Sequence, residues 1–320
     1  FVSDSLDIIE WLQQAKKQFS AESSIHEQIT SIFNEFMEED GIYKRQAAER
    51  ALVLREEITP YLIALLEDVN LHPADHIDQP GSLVLDYALQ LLGHFRERRA
   101  HAPLARFMRL PGDVIEGLIG DTWTEDAGPL LYMTSGGDLD TIKELVLDTQ
   151  APEYSRGGAA DALVCAVVLG GHDREEILGF FKDLFTGDEA EPGSDFWGNL
   201  VWCIADLYPG ELMDEIRAAF EAKLVRPGYI SLKDVEDELR QEKDAVLQKT
   251  SRWYGERIHD DFHDYMSWWA CFQPDPHDDL VLLQREQKRA ETKRHAEQKK
   301  SEKRKSKAAR KQRSKNKKRK

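Results

Sequence analysis

Apolar residues recur along this chain as triplets at positions i, i+3 and i+4, a spacing that puts three side chains on one face of an α-helix. Five triplets follow one another, and their first members are 42, 38, 35 and 39 residues apart. They are Leu62, Leu65 and Leu66; Leu104, Phe107 and Met108; Ile142, Leu145 and Val146; Ile177, Phe180 and Phe181; and Ile216, Ala219 and Phe220. Alternating β-branched runs, which would indicate strands, are missing from the sequence. The period therefore predicts an all-α fold built from a helical repeat.

A second helix with the same apolar spacing precedes most of the triplets, by 16, 14 and 16 residues in the three clearest cases. Its apolar positions are Ala88, Leu91 and Leu92; Leu163, Ala166 and Val167; and Leu200, Cys203 and Ile204. Two antiparallel helices in about 40 residues form the unit of a HEAT-like α-solenoid, and the sequence predicts about five such pairs. An irregular helical bundle with accidental spacing is the alternative.

Turn and cap residues support the predicted helix ends. Glycine and proline lie between paired helices at residues 170–171 and 209–210. Asp173 and Ser231 are predicted N-caps, and Asp234, three residues after Ser231, predicts a capping box.

The repeat also predicts how the chain is divided. Caps are needed at both ends of a solenoid, because its terminal helices would otherwise expose apolar faces. The aromatic residues near the C-terminal end are typical of a capping core, and a ligand-binding aromatic patch is the alternative. The predicted parts are an N-terminal helical cap at 1–40, helical repeats at 41–227, an aromatic helical cap at 228–272, a linker at 273–284 and a disordered basic tail at 285–320.

The tail and the rest of the chain carry opposite charge. Residues 285–320 contain 19 Lys or Arg and 4 Glu, a net charge of +15, whereas residues 1–284 carry 24 bases and 55 acids, a net charge of −31. A basic segment without aromatic residues suits contacts with phosphates rather than with bases, which predicts RNA or the ribosome as its partner. A solubilising run without a partner is the alternative. The tail residues assigned to this contact are Lys303, Arg304, Lys305, Arg310, Lys311, Arg313, Lys317, Lys318, Arg319 and Lys320.

The loop "GDTWTEDAG", residues 120–128, is a candidate site for a protein partner. It surrounds Trp123 with Asp121, Thr124 and Glu125, so it could present an aromatic anchor with a polar rim. The structural alternative is a helix start, capped by Asp121 or Thr122 with Glu125 in the first turn.

Two His/Asp clusters are the best candidates for enzyme chemistry. His259, Asp260, His263 and Asp264 form one, and His72 and His76 beside Asp75 and Asp78 form the other. Two histidines at i and i+4 with nearby carboxylates can bind a divalent metal, so a metal-dependent hydrolase is the alternative function. The main prediction is a non-enzymatic binding protein without a cofactor, which presents its helical surface to a protein partner.

Cysteine usage and hydropathy predict a cytoplasmic protein that does not bind membranes. Cys165, Cys203 and Cys271 are odd in number and form no C-x-x-C pair, which argues against a disulfide framework or a zinc site. The sequence contains no run of about 18 apolar residues, so it predicts no transmembrane helix.

Five stretches of the sequence show a family resemblance: "REEITPYLIALLEDV", "LLGHFRERRAHAPL", "IGDTWTEDAGPLL", "DLYPGELMDEIRAAFEAKLV" and "MSWWACF". They resemble the bacterial family catalogued as domain of unknown function 1186, over about residues 30–272. The resemblance implies a HEAT-like helical fold and brings no established activity. Some members end in a short cysteine-rich zinc-binding motif like that of the SecA translocation ATPase. This chain has the basic tail in that place and no such cysteines, so no zinc-mediated contact is expected.

Overall fold

The computed structural model describes residues 11–12, 23–38, 40–77, 83–258 and 261–273. These residues fall into two compact units. One unit holds residues 43–268 and the described residues up to 38, and the other holds residues 40–42 and 269–273. The smaller unit contains a 3₁₀ turn, Ala270–Phe272. The predicted linker beyond residue 273 and the basic tail lie outside the described residues.

Sixteen α-helices and no strand are found in the described part of the chain. In chain order they are α1 Ser23–Phe36, α2 Arg45–Val53, α3 Arg55–Leu71, α4 Pro73–Ile77, α5 Val84–His94, α6 His101–Phe107, α7 Gly112–Ile119, α8 Thr122–Ser135, α9 Asp140–Leu147, α10 Glu153–Val168, α11 Arg174–Lys182, α12 Asp195–Asp206, α13 Met213–Glu221, α14 Leu232–Leu239, α15 Lys243–Arg257 and α16 Phe262–Ser267. The predicted all-α class is therefore confirmed.

The five apolar triplets lie on α3, α6, α9, α11 and α13, which we call the triplet helices. Thirteen of their fifteen side chains are buried, and Phe180 and Phe220 are half-buried. Contacts join α3 to α6 and α6 to α9. Further along the chain, Lys143 of α9 pairs with Glu176 of α11 at 2.8 Å, and Lys182 of α11 pairs with Glu215 of α13 at 3.0 Å. The periodic spacing thus identified a set of buried helical faces.

The helices that precede the triplets, α5, α8, α10 and α12, are the partner helices, and they contact one another in that order. Two glycines allow α8 and α10 to approach closely. A Cβ at Gly158 would lie 2.7 Å from the Ala127 Cβ, and one at Gly128 would lie 2.6 Å from the Asp161 Cβ. These contacts are of the kind that stacked helix pairs make. The stacking of the pairs into a solenoid, and the predicted division into caps and repeats, stay predictions.

Both predicted N-caps are confirmed. The Asp173 side chain accepts hydrogen bonds from the backbone N–H groups of Glu175 and Glu176. Ser231 and Asp234 form the complete capping box at the start of α14. Such caps satisfy N–H groups that the first turn of a helix leaves without partners.

Two helices near the C-terminal end of the larger unit contact helices from earlier parts of the chain. Helix α15 contacts α12, α10 and α8, and α16 contacts α2. The Phe262 ring also lies edge-on to the ring of His94, at the end of α5, with centroids 5.5 Å apart. Helices α15 and α16 therefore touch helices from widely separated parts of the sequence. No helix of the described residues is both long and apolar enough to span a bilayer.

Candidate functional site

A groove with a volume of about 460 Å³ lies where α12, α14 and α15 meet. We call it the tryptophan groove. It is lined by Trp202, Ala205 and Asp206 of α12; Ile230; Asp234 and Glu238 of α14; and Lys249, Thr250, Arg252, Trp253 and Glu256 of α15.

Two tryptophans of the groove are half exposed, with 49% of the surface of Trp202 and 54% of that of Trp253 open to solvent. Helix geometry explains why both side chains are exposed, because neighbouring residues on a helix point in different directions and each tryptophan lies next to a residue that points into the core. Trp202 lies between the buried residues Val201 and Cys203, and Trp253 precedes the buried residue Tyr254. Large exposed aromatic side chains are uncommon on surfaces that bind nothing, and they are enriched at the centres of binding sites.

The wall of the groove that carries Trp253 is held in place from beneath. The Tyr254 hydroxyl donates to the Asp161 carboxylate at 2.9 Å, which ties α15 to α10. The Thr250 hydroxyl donates to the backbone carbonyl of Asp206 at 2.9 Å, which ties α15 to α12. A groove whose walls are fixed before binding loses less conformational entropy when a ligand enters.

Acidic side chains outnumber basic ones in the groove, with four carboxylates against Lys249 and Arg252. Two of the carboxylates are engaged: Lys249 pairs with Glu238 at 2.5 Å, and Asp234 is held by the capping box. Glu256 is exposed and makes no ion pair with any described residue.

Among the carboxylates of the groove, Asp206 has the pKa that is raised furthest above its ordinary value. Burial, and after it the charge of Asp161, raises its pKa to about 7. Lys249 and a hydrogen bond from Trp202 lower the pKa, but by less than burial raises it. A cation entering the groove would therefore meet a carboxyl group that is only partly ionised near pH 7 and that gains from a positive partner.

The loop predicted as a partner site does not contribute to this groove. Trp123 is only 6% exposed, its indole N–H donates to the Ser155 hydroxyl at 3.0 Å, and its ring packs edge-on against Tyr154. Asp121, Thr124 and Glu125 are exposed at the start of α8. The segment is a helix start with Glu125 in its first turn, as the structural alternative has it, but the Asp121 side chain makes no capping hydrogen bond and the Thr122 hydroxyl donates to Asp86 instead. Trp123 fastens α8 to α10.

The predicted His/Asp clusters are engaged in hydrogen bonds between side chains. His263 is buried; its Nδ1 lies 2.7 Å from the Tyr43 hydroxyl and its Nε2 lies 2.7 Å from Glu49. His72 and His76 both hydrogen-bond Asp68, on separate carboxylate oxygens, rather than Asp75.

His259, Asp260 and Asp78 lie outside the described residues, as do the ten tail residues assigned to a polyanion. Asp264 is exposed near the start of α16. Within the described ranges, no group of three or more His, Cys, Asp and Glu side chains is arranged to hold a metal ion. The arrangement around His263 joins α16 to the N-terminal part of the unit.

The groove lies in the part of the chain that is similar to known proteins. A family model described as "Protein of unknown function (DUF1186)" matches residues 27–273, which include every residue of the groove. Two proteins, each described as "Uncharacterized protein", come from Chlamydia trachomatis serovar D and Chlamydia muridarum and are 32% identical to this chain over 223 residues. The alignments cover 69% of this chain and 88% and 89% of the two relatives. No solved structure matches significantly.

Proposed function

We propose that this chain, which belongs to the family described as "Protein of unknown function (DUF1186)", is a non-enzymatic binding protein that engages a protein partner through the tryptophan groove. The observation that carries the proposal is the pair of half-exposed tryptophans on a preformed groove of about 460 Å³. Tryptophan is among the residues most enriched where a few side chains dominate the binding free energy. The volume falls within the range of about 300–1,000 Å³ that is typical of ligand pockets.

The proposed scaffold for this groove is a HEAT-like solenoid of about five helix pairs. Support comes from the buried triplets and from the sequential contacts of the partner helices. Stacked helix pairs build extended surfaces because each pair contacts mainly its neighbours. In this arrangement the groove lies on the last pairs, where α12 meets α14 and α15.

The basic tail is proposed as a second attachment, for a polyanion such as RNA. Its support is the net charge of +15 over residues 285–320 of an otherwise acidic chain. A chain without residues 285–320 should lose RNA binding and keep its melting temperature, because no triplet is removed. In the full chain, log K should fall with log salt at a slope of about −0.7 per phosphate neutralised. RNA affinity that survives the deletion would contradict this assignment.

Site-directed photo-crosslinking in cells tests the groove. A photoreactive phenylalanine at Arg252, an exposed position that lines the groove, should crosslink to a specific protein. The same probe at Leu147, which is 53% exposed at the end of α9, is the matched control outside the groove. The crosslink should disappear when Trp202→Ala is added. Equal products from the two positions, or a product that does not depend on Trp202, would overturn the proposal.

A further inference from the structure

We propose that the tryptophan groove recognises a lysine or arginine side chain presented by a basic peptide segment of the partner. This inference rests on the proposed function and assigns the chemistry of its ligand. It follows from three features of the groove: its aromatic faces, the balance of its charges and its apolar walls.

The Trp253 ring already holds a cation of the protein itself, from a residue that does not line the groove. The Arg257 guanidinium lies over the Trp253 ring with its central carbon 3.9 Å from the ring centroid. An indole face is the best aromatic surface for a cation, because the negative face of its quadrupole attracts positive charge. Trp202 provides a second half-exposed indole in the same groove, beside the Asp206 carboxyl with which it hydrogen-bonds.

The charges of the groove select a cationic ligand. Lys249 is paired with Glu238, which leaves Arg252 as the other base, against Asp206 and Glu256. An acidic ligand would meet like charge in a protein body whose net charge is already −31 over residues 1–284. A purely apolar ligand would bury Asp206 and Glu256 without supplying a partner, which is costly. A cation avoids both penalties.

The walls select a long side chain rather than a small ion. Ala205, Ile230 and the two tryptophans offer apolar surface to a methylene stem, while the carboxylates can receive its charged end. Lysine and arginine combine such a stem with such an end. Because the volume of about 460 Å³ exceeds what one such side chain fills, neighbouring peptide residues also enter the groove.

Two matched peptides test this assignment by calorimetry with the full chain at low salt. The probe is a capped hexapeptide of glycine and serine with two arginines, and its control carries citrulline at both positions. Citrulline keeps the shape of arginine and removes its charge. We expect the arginine peptide to bind at least tenfold more tightly than the citrulline peptide, since charge-assisted hydrogen bonds are about twice as strong as neutral ones.

Variants then locate the binding. Trp253→Ala and Glu256→Gln should each weaken the arginine peptide several-fold. Glu144→Gln changes an equally exposed carboxylate of α9, outside the groove, and should leave the affinity unchanged. Both neutralised residues are exposed, so circular dichroism should show unaltered helicity. Equal affinity for the two peptides, equal loss in Glu144→Gln, or no binding of the arginine peptide would overturn the proposal.

Because the tail of the chain is itself basic, the last part of the experiment tests whether the tail occupies the groove. In one variant, Lys303, Arg304, Lys305, Arg310, Lys311 and Arg313 are replaced by Gln. If the arginine peptide binds only to this variant, the chain's own tail is the ligand and the assignment to a partner is wrong. Peptide binding can also be separated from the proposed function. A groove-specific crosslink without peptide binding would leave the partner site standing and refute only its cationic chemistry.

Discussion

The triplet helices and the partner helices alternate along the chain from α3 to α13 but differ in the interactions that stabilise them. The triplet faces are apolar, with side chains such as Phe181, Ile142 and Met108 fully buried. The partner helices instead each carry an aspartate in or near the interior: Asp86 on α5, Asp126 on α8, Asp161 on α10 and Asp206 on α12. Burial raises the pKa of all four carboxyl groups. The difference teaches that both sets of helices pack apolar side chains, and that the partner helices add specific polar contacts.

Those polar contacts fasten α15 and α16 to the partner helices. Asp126 accepts hydrogen bonds from Gln90, at 2.8 Å, and from the Tyr265 hydroxyl. Asp161 accepts from Tyr254 and from the Cys203 thiol, at 2.9 and 3.2 Å. A buried carboxylate with such donors orients its partner strongly, because leaving it unpaired is costly. The position of Trp253, and hence the groove, depends on this polar layer.

The largest expected effect is a loss of packing in the triplet layer. Phe181→Ala should lower the free energy of unfolding by about 3–5 kcal/mol, because it leaves a cavity among fully buried side chains. The neighbouring triplet member Phe180 is half-buried, so Phe180→Ala should cost clearly less. Urea unfolding followed by circular dichroism measures both. A loss below about 0.5 kcal/mol for Phe181→Ala is typical of surface positions and would show that the triplets are not the core.

A smaller expected effect is the pH dependence of the free energy of unfolding, which comes from the buried aspartates of the partner helices. Burial raises the pKa of Asp86 from 3.8 to about 7, so the folded state holds a proton more tightly than the unfolded state does. The stabilisation is complete below the unfolded pKa and is lost as the pH rises through 7. We expect the free energy of unfolding to be lower at pH 8 than at pH 5 by an Asp86 contribution on the order of 2 kcal/mol.

The Asp86→Asn variant isolates this contribution in the same unfolding experiment. His101, whose pKa burial lowers, contributes to the pH dependence with the opposite sign, but it is unchanged in the variant. The difference between the wild-type and Asp86→Asn curves should therefore shrink or reverse between pH 5 and 8. The exposed carboxylate Asp113 is the control, and Asp113→Asn should keep the wild-type pH dependence. Parallel curves for the wild type and Asp86→Asn would show that Asp86 does not titrate in the fold.

The same difference explains how far the sequence could be interpreted. The triplets and the N-caps at Asp173 and Ser231 were predictable because they depend on spacings of three and four residues within one helix. The buried aspartates were not, because in a chain with 59 Asp and Glu residues an isolated helical aspartate has the sequence signature of a solvated face.

The groove was missed for a related reason. Its walls come from residues 202–206, 230–238 and 249–256, and no spacing within one segment shows that these meet. The sequence did mark the aromatic residues near the C-terminal end, with a ligand-binding patch as the alternative to a capping core. The structure divides them, because Tyr254 and Phe262 are buried whereas Trp253 and Trp268 are exposed. The sequence predicted a partner site around Trp123 because a tryptophan among polar residues is typical of an exposed side chain, whereas a hydroxyl from another helix accepts a hydrogen bond from its indole N–H.

The smallest expected effect separates the hydrogen bonds of the partner layer from its packing. Tyr254→Phe removes the hydroxyl that Asp161 accepts and keeps the ring, so it should cost about 1–2 kcal/mol, the usual range for a hydrogen bond to a charged or buried group. In a double-mutant cycle with Asp161→Ala, which removes the acceptor, the two changes should be coupled by at least about 0.5 kcal/mol, because each alone breaks the same contact. Since the contact holds α15, Tyr254→Phe should also change the fluorescence of the adjacent Trp253 without loss of helicity. Additive effects would show that Tyr254 stabilises α15 by packing alone, and the contrast between the two layers would then lose its support at α10.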